Sequence, residues 1–314
     1  MFATRRTFIA GAAALAAAPA LARAPMAGQT VATYRVKLGD IEVTAFSDGY
    51  FDAPVKLFAG VDETEAGKLL EKDFRAAGPT IRLSVNAFVV NTGDKLILVD
   101  AGTVQGFAPS LAKLPERLAA AGFKPEDFDA VVMTHLHADH VGALTSAPGE
   151  ARFAKAEFIC SAAEHKFWWD DGIMSQAPKG MQGFFQAARG ASKPYEKALK
   201  TFDKDGEVVK GVTALALPGH TPGHTGYIVG SGADSLLIWG DIVHSPSIQF
   251  PHPEVTIAFD VDPRQAAASR KAVFDRVSAD KMMVAGMHMD FPAFAHVEKD
   301  GAGYRVLPKR WSID

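Results

Sequence analysis

The segment His135–His140 concentrates metal-binding side chains in the motif His-x-His-x-Asp-His. It directly follows a short apolar run rich in β-branched residues, which predicts a strand buried on both faces. Because side chains alternate along a strand, His135 and His137 should project from the same side and can share one ion. Asp139 and His140 follow as the chain leaves the strand. These donors exceed what one closed zinc site with other partners needs, so two adjacent metal ions fit better than one.

Three later segments each place a possible ligand at the end of an apolar run. His220 lies in a loop rich in proline and glycine that can direct one imidazole inward, and we select it over His224. Asp241 is either a bridging carboxylate or a helix N-cap or turn residue. His288 follows the third run. The seven predicted donors, which suit two zinc-like ions, are His135, His137, Asp139, His140, His220, Asp241 and His288.

The elements that must position these donors alternate between strand and helix patterns, which indicates an α/β fold. Alternating runs flank Gly39-Asp40 and predict a hairpin over 34–46. A second predicted hairpin, 86–99, delivers Asp100 at its end. Further predicted strands cover 130–133, 157–160, 212–217, 226–229, 235–239 and 282–285, and predicted helices cover 110–121 and 263–278.

The composition is that of an ordinary globular protein, with 314 residues, of which 48% are hydrophobic and 22% charged. The formal net charge is −3, and no basic run is interleaved with aromatic residues. The sequence therefore lacks the basic segment that a nucleic-acid-binding surface needs, and a small-molecule substrate is expected. With Cys160 as the single cysteine, no intramolecular disulfide can form.

Residues 1–24 have the pattern of a twin-arginine-type signal peptide, in which Arg5-Arg6 precedes an alanine-rich apolar stretch. Cleavage is expected after Ala22 or Ala24, and the destination is expected to be the periplasm. The apolar stretch is interrupted by Pro19 and is too short to span a bilayer comfortably. We therefore expect no membrane anchor after processing, and a single catalytic domain over residues 25–314.

On these residues the chain resembles the metallo-β-lactamase superfamily, whose H-x-H-x-D-H motif corresponds to residues 135–140. The resemblance covers nearly all of residues 25–314 and implies an αββα sandwich with both metals at one edge of the sheets. It implies one ion held by His135, His137 and His220, a second held by Asp139, His140 and His288, and Asp241 as the bridge. Asp100, in a V-D-x-G segment, would orient a ligand histidine.

Residues 218–226, 240–242 and 301–308 are similar to the methyl parathion hydrolase family and its lactonase relatives. That resemblance implies an aromatic leaving-group pocket at Phe107, Trp168 and Phe184. The alternative is that these aromatic residues belong to the core. Trp168 and Phe184 lie in a stretch without strong periodicity, which favours the pocket. Around His244, Ile257 and Phe259 the chain resembles dihydrocoumarin-hydrolysing relatives instead, so a lactone is favoured over a phosphotriester.

The predicted activity is the opening of lactones or aryl esters, with dihydrocoumarin-like aromatic lactones favoured, by attack of a metal-bridging hydroxide. Asp139 or Asp241 would accept the proton, and His244 would hydrogen-bond the carbonyl or the leaving oxygen. Zinc is the expected metal, and relatives suggest a homodimer. The alternatives are a phosphotriester hydrolase, an acyl-homoserine lactonase, and a periplasmic metal-binding protein without turnover. The tyrosine that acyl-homoserine lactonases often place after the bridging aspartate is absent, which disfavours quorum-signal hydrolysis.

Overall fold

The computed structural model describes residues 32–232 and 234–312. The predicted signal peptide, residues 1–24, lies outside the described residues. The strands are β1 (Thr33–Leu38), β2 (Ile41–Pro54), β3 (Phe58–Ala59), β4 (Thr80–Asn91), β5 (Leu96–Val99), β6 (Ala130–Val132), β7 (Thr145–Ala147), β8 (Glu150–Ala151), β9 (Glu157–Ser161), β10 (Leu199–Phe202), β11 (Gly206–Val209), β12 (Val212–Ala216), β13 (Thr225–Ser231), β14 (Asp234–Ile238), β15 (Thr256–Ile257), β16 (Met283–Ala285), β17 (Phe294–Asp300) and β18 (Gly303–Pro308). The helices are α1 (Glu63–Lys72), α2 (Leu114–Ala120), α3 (Ala162–Trp169), α4 (Asp171–Gln176), α5 (Lys179–Ser192), α6 (Pro246–Gln249) and α7 (Pro263–Ala279).

Two seven-stranded sheets form the centre of the fold. The first has the order β1-β2-β4-β5-β6-β9-β10, and the second has the order β11-β12-β13-β14-β16-β17-β18. In the first sheet β5, β6, β9 and β10 are parallel neighbours, and in the second β14 and β16 are parallel. Parallel neighbours bring their carboxyl ends to the same edge of a sheet. The loops that follow β5, β6, β14 and β16 therefore meet at one edge of each sheet.

Strand β5 shows how the sequence forms the layers. Ile97 and Val99 pack into a core between the two sheets, whereas Leu98 faces the opposite side, among the residues of α2, α3 and α5. Burying each such side chain contributes about 1.5–3 kcal/mol. On the side of the second sheet, helix α7 contributes Phe274 to the same core as Ile97 and Val99. The predicted αββα sandwich is confirmed.

The structure differs from the sequence prediction in several regions, including these three. The helix predicted from residue 110 begins at Leu114, with Pro115 at its first turn. The aromatic stretch around Trp168 and Phe184 forms α3, α4 and α5. A C-terminal hairpin, β17–β18, was not predicted. Among the described residues, no helix is both long and apolar enough to cross a membrane.

Candidate metal centre

His135, His137 and His220 form the first ligand set. The distances from His137 Nδ1 are 3.0 Å to His135 Nε2 and 2.9 Å to His220 Nε2. The other ring nitrogen of His135 donates to Thr134 Oγ1, and that of His220 donates to Asp260 Oδ1. The Nε2 lone pairs of both residues therefore face His137 Nδ1. Lone pairs at this spacing repel each other unless a cation or a proton lies between them.

Asp139, His140 and His288 form the second ligand set. His140 Nε2 lies 3.7 Å from Asp139 Oδ1, and His288 Nε2 lies 3.4 Å from Asp139 Oδ2. His140 Nδ1 donates to Asp100, and His288 Nδ1 donates to the carbonyl oxygen of Ser84. Each imidazole therefore presents Nε2 to the centre.

Asp241 lies between the two sets. Its Oδ2 is 3.2 Å from His220 Nε2 and 3.2 Å from His288 Nε2, and its Oδ1 is 3.3 Å from His140 Nε2. The Asp241 amide donates to His224 Nε2, and His224 Nδ1 donates to the Leu217 carbonyl oxygen. His224 is thus a support of the predicted bridge.

Gly240 makes this arrangement possible. It has a φ of 61°, and a Cβ there would lie 2.4 Å from His224 Nε2. A side chain at this position would both strain the backbone and displace the imidazole that holds the Asp241 amide.

Asp100 lies directly behind the centre. Its carboxylate accepts hydrogen bonds from the Thr134 amide and hydroxyl and lies 2.6 Å from His140 Nδ1. Asp100 adopts a φ of 58°, which is uncommon for a residue other than glycine. The structure therefore places Asp100 where it can orient a ligand histidine, as the resemblance implied.

The residues present fit two divalent ions. A tetrahedral zinc with bonds of about 2.0–2.1 Å separates its nitrogen ligands by roughly 3.3 Å, close to the observed donor spacings. Among the described residues, His140 Nε2 and Asp241 Oδ1 are buried without a well-aligned hydrogen-bond partner, although they lie 3.3 Å apart. Buried polar atoms of this kind require an explanation, which an ion would supply.

The electrostatics of the centre favour positive charge. Burial lowers the pKa of His135 and His137 well below the usual histidine value, so both are neutral and carry lone pairs at neutral pH. Burial also opposes a charge on His140, but Asp241, Asp139 and Asp100 raise its pKa well above the usual value. The same carboxylates would attract a metal cation.

A cleft of about 400 Å³, including its open mouth, leads to the centre. Its lining residues are Phe51, Phe107, His137, Asp139, Phe184, His220, Asp241, His244, Phe259 and His288. The aromatic rings form two pairs, Phe51 with Phe107 at 5.3 Å and Phe184 with Phe259 at 6.3 Å between centroids. The predicted pocket residues Phe107, Phe184 and Phe259 are therefore brought together at the cleft.

Two predicted pocket residues, Trp168 and Ile257, lie behind the cleft wall. Trp168 is 2% exposed and packs against Phe185, because α3 directs its ring toward α5. Ile257 is 1% exposed and belongs to a core that also contains Phe58. The structure corrects the placement of both residues from pocket to core, so they act on the cleft only through their neighbours.

His244 borders the cleft with a buried ring. Its Nε2 lies 3.2 Å from Asp241 Oδ2, and its ring stacks on that of His288 at 5.0 Å. Neither ring nitrogen has a well-aligned hydrogen-bond partner within residues 32–232 and 234–312. Burial lowers the pKa of His244 to about 4, so the imidazole is neutral at pH 7.

Sequence reasoning missed several residues that border or support the site. Phe51 lies within a long strand, and Asp260 and His224 act through partners distant in the chain. Glu164 had a recognisable signal, because Ser161 three residues earlier matches the S-x-x-E pattern of a helix start. Ser161 does cap α3.

Comparison with known proteins agrees with this geometry. The family model of the metallo-beta-lactamase superfamily matches residues 80–288. The crystal structure of hydrolase AbOPH, in the beta lactamase superfamily, has a TM-score of 0.85 and 32% identity and covers 91% of this chain and 100% of that chain. The structure of AidC, a dizinc quorum-quenching lactonase in complex with the product N-hexanoyl-L-homoserine, has a TM-score of 0.84 and 27% identity. The match covers 90% of this chain and 99% of that chain.

An N-acyl homoserine lactonase of Bacillus cereus is 27% identical over 180 residues, which is 51% of this chain and 64% of that protein. The match therefore spans less than two thirds of that lactonase. The match of the family model and the two ligand sets lead to one conclusion: the chain belongs to the metallo-β-lactamase superfamily. The superfamily predicted from the motif at residues 135–140 is confirmed.

Proposed function

We propose that the protein is a dinuclear metal-dependent hydrolase that opens lactones, with zinc as the metal and an aromatic lactone as the favoured substrate. The observation that supports this most directly is the meeting of two ligand sets at Asp241, beside a small cleft with phenylalanine walls. The lactonase relatives support the same reaction class. The periplasmic location and the homodimer remain predictions.

The first ligand set, with Asp241, would hold one ion, and Asp139, His140 and His288 would hold the other. When bound, such ions polarise a carbonyl group and lower the pKa of a water molecule. The chain itself orients the ligands. In four of the ligand histidines, the ring nitrogen that faces away from the centre makes a hydrogen bond that fixes the imidazole. The geometry is thus set before the substrate arrives.

Three polar side chains at the cleft would manage the substrate and the proton. Asp139 is 15% exposed and borders the cleft, so it can accept a proton from the attacking water, as can Asp241. His244 is neutral, and neither ring nitrogen has a well-aligned protein partner among the described residues, so it can donate to the carbonyl or the leaving oxygen. A phenolate leaving group needs little further acid assistance.

The shape of the cleft favours an aromatic lactone. Two pairs of phenylalanine rings flank the cleft, and a flat ring can pack between them by edge and offset contacts. A phosphotriester is already tetrahedral and extends in three directions, so it fits a narrow cleft less well. An N-acyl homoserine lactone is the second candidate, because AidC was solved with the product of such a lactone.

The test is a rate comparison with purified protein reconstituted with zinc. We expect the specificity constant for dihydrocoumarin to exceed that for N-hexanoyl-homoserine lactone by about tenfold and that for an aryl phosphotriester by more, since one to two well-packed contacts are worth about 1–3 kcal/mol. Chelator-treated protein is the control and should be inactive. Hydrolysis that is independent of metal would contradict the proposal, as would a phosphotriester as the best substrate.

A further inference from the structure

Glu164 is a fully buried carboxylate outside both ligand sets, in the first turn of α3. Its Oε1 accepts hydrogen bonds from the Leu136 amide at 2.9 Å and from Trp168 Nε1 at 2.5 Å. Its Oε2 accepts from Thr221 Oγ1 at 2.5 Å. All three partners are neutral donors, so the carboxylate is satisfied by directional hydrogen bonds and not by an ion pair.

These partners lie next to the first ligand set. Leu136 is the residue between His135 and His137, and Thr221 directly follows His220. The indole ring of Trp168 contacts the His137 ring at 5.3 Å between centroids. Glu164 therefore reaches all three imidazoles of the set through one intervening residue each.

The start of α3 is pressed against the loop that carries His220. Ser161 Oγ accepts from the Glu164 amide and donates to the Gly223 carbonyl oxygen. A Cβ on Gly223 would lie 2.1 Å from the Glu164 amide nitrogen. Glu164 and the His220 loop are thus packed at backbone distance.

Packing alone does not explain a carboxylate at this position. Burial raises the pKa of Glu164, which shows that the low-dielectric surroundings oppose its charge. An apolar side chain of similar volume would fill the same space without that cost. What an apolar residue cannot do is accept hydrogen bonds from two different ligand loops at once.

We propose that Glu164 is a positioning residue that sets the spacing of His135, His137 and His220. One of its oxygens holds the backbone between the first two histidines, and the other holds the side chain that follows the third. This inference rests on the two-metal site of the proposed function. It predicts that losing the acceptor loosens one metal site and leaves the other in place.

The experiment measures cobalt(II) binding by titration against a competing chelator, with the visible absorption spectrum of the bound cobalt as the second readout. The variants are Glu164→Leu, Glu164→Gln and Thr221→Val. The control is Asp62→Ala, which removes the N-cap of α1, where Asp62 accepts from the Glu65 amide. That control should lower the Tm by at most a few degrees and leave the cobalt spectrum unchanged.

For Glu164→Leu we expect affinity for one of the two cobalt ions to fall by about 10- to 100-fold, with a changed spectrum, because losses around a metal ligand have this size. Thr221→Val removes one of the three bonds and should cost about threefold to tenfold. Glu164→Gln retains an acceptor for Leu136 and should stay within about threefold of the parent. A Gln variant as weak as the Leu variant would contradict positioning by hydrogen-bond acceptance.

Unchanged cobalt affinity and spectrum in both Glu164→Leu and Thr221→Val, with a lower Tm only, would overturn the inference and leave Glu164 a packing residue. If Glu164→Leu does not fold, Thr221→Val decides the question by the same readouts. A parent protein that binds no cobalt would overturn the proposed function together with this role. A parent that binds two, with unchanged variants, would overturn the role of Glu164 alone.

Discussion

The metal centre and the aromatic cleft adjoin each other but are held in different ways. In the centre, directional bonds fix the ligands: His135 to Thr134, His140 to Asp100, His220 to Asp260 and His288 to Ser84. In the cleft, Phe51, Phe107, Phe184 and Phe259 are held by ring contacts, and Phe107 is 42% exposed. The orientation of the ligand histidines is therefore fixed by directional hydrogen bonds, whereas the phenylalanine walls of the cleft are held by non-directional packing.

This difference separates reactivity from substrate choice. A substitution at the centre leaves buried donors or acceptors without partners. This lowers the free energy of unfolding and disturbs the arrangement of the metal ligands. A change in the cleft alters shape at a half-buried surface, which costs little stability. We therefore expect variants of the centre to lose all activities together and variants of the cleft to redistribute them.

The largest effect is expected from Asp241→Ala. Loss of the carboxylate between the two ligand sets should reduce turnover of every substrate by about a thousandfold or more, equivalent to several kcal/mol of transition-state stabilisation. Elemental analysis should show at least one ion lost, and the Tm should fall because metal binding is coupled to folding. Near-native turnover with full metal content would show that Asp241 is only a turn residue.

A smaller and selective effect is expected from the double variant His244→Leu/Phe259→Val. It removes the polar contact proposed between His244 and the lactone and widens the cleft, so the ratio of lactone to phosphotriester specificity constants should fall by roughly ten- to a hundredfold. The metal content should stay at the parent level. If the ratio is unchanged, these side chains do not shape the cleft as proposed.

The smallest effect on activity is expected from a matched pair in α5. Phe184 lines the cleft, whereas its neighbour Phe185 is 4% exposed and packs in the core. Phe184→Ala should raise KM for an aromatic lactone by about tenfold with little loss of stability. Phe185→Ala should lower the free energy of unfolding by about 3–5 kcal/mol with KM nearly unchanged, as measured by denaturant unfolding. Equal changes of KM and of the free energy of unfolding in the two variants would contradict the placement of Phe184 in the cleft wall and Phe185 in the core.

The sequence predicted the centre better than the walls for a physical reason. His135 to His140 are close in the chain, and His220, Asp241 and His288 each follow an apolar strand whose end the sheet edge must align. Both the type of donor side chain and the end of a strand can be predicted from a short segment of sequence. Even Asp100 could be found this way, since it directly follows β5, the strand that pairs with β6 just before the motif at residues 135–140.

The supports and the walls depend on contacts between distant segments. Glu164 meets Leu136 across 28 residues and Thr221 across 57, and no local pattern specifies those pairings. The sequence predicts Trp168 in the pocket from the resemblance to the methyl parathion hydrolase family and from the lack of strong periodicity in its stretch. Once α3 forms, its geometry buries Trp168 between Phe185 of α5 and the ring of His137, so Trp168 does not line the cleft itself.

We infer that two ions per chain support turnover. The most direct measurement is elemental analysis of fully active protein after extensive dialysis, with lactonase activity recorded on the same sample. We expect two equivalents of metal per chain, and a loss of activity that follows stepwise removal of either ion by chelator. One equivalent in a fully active sample would contradict it.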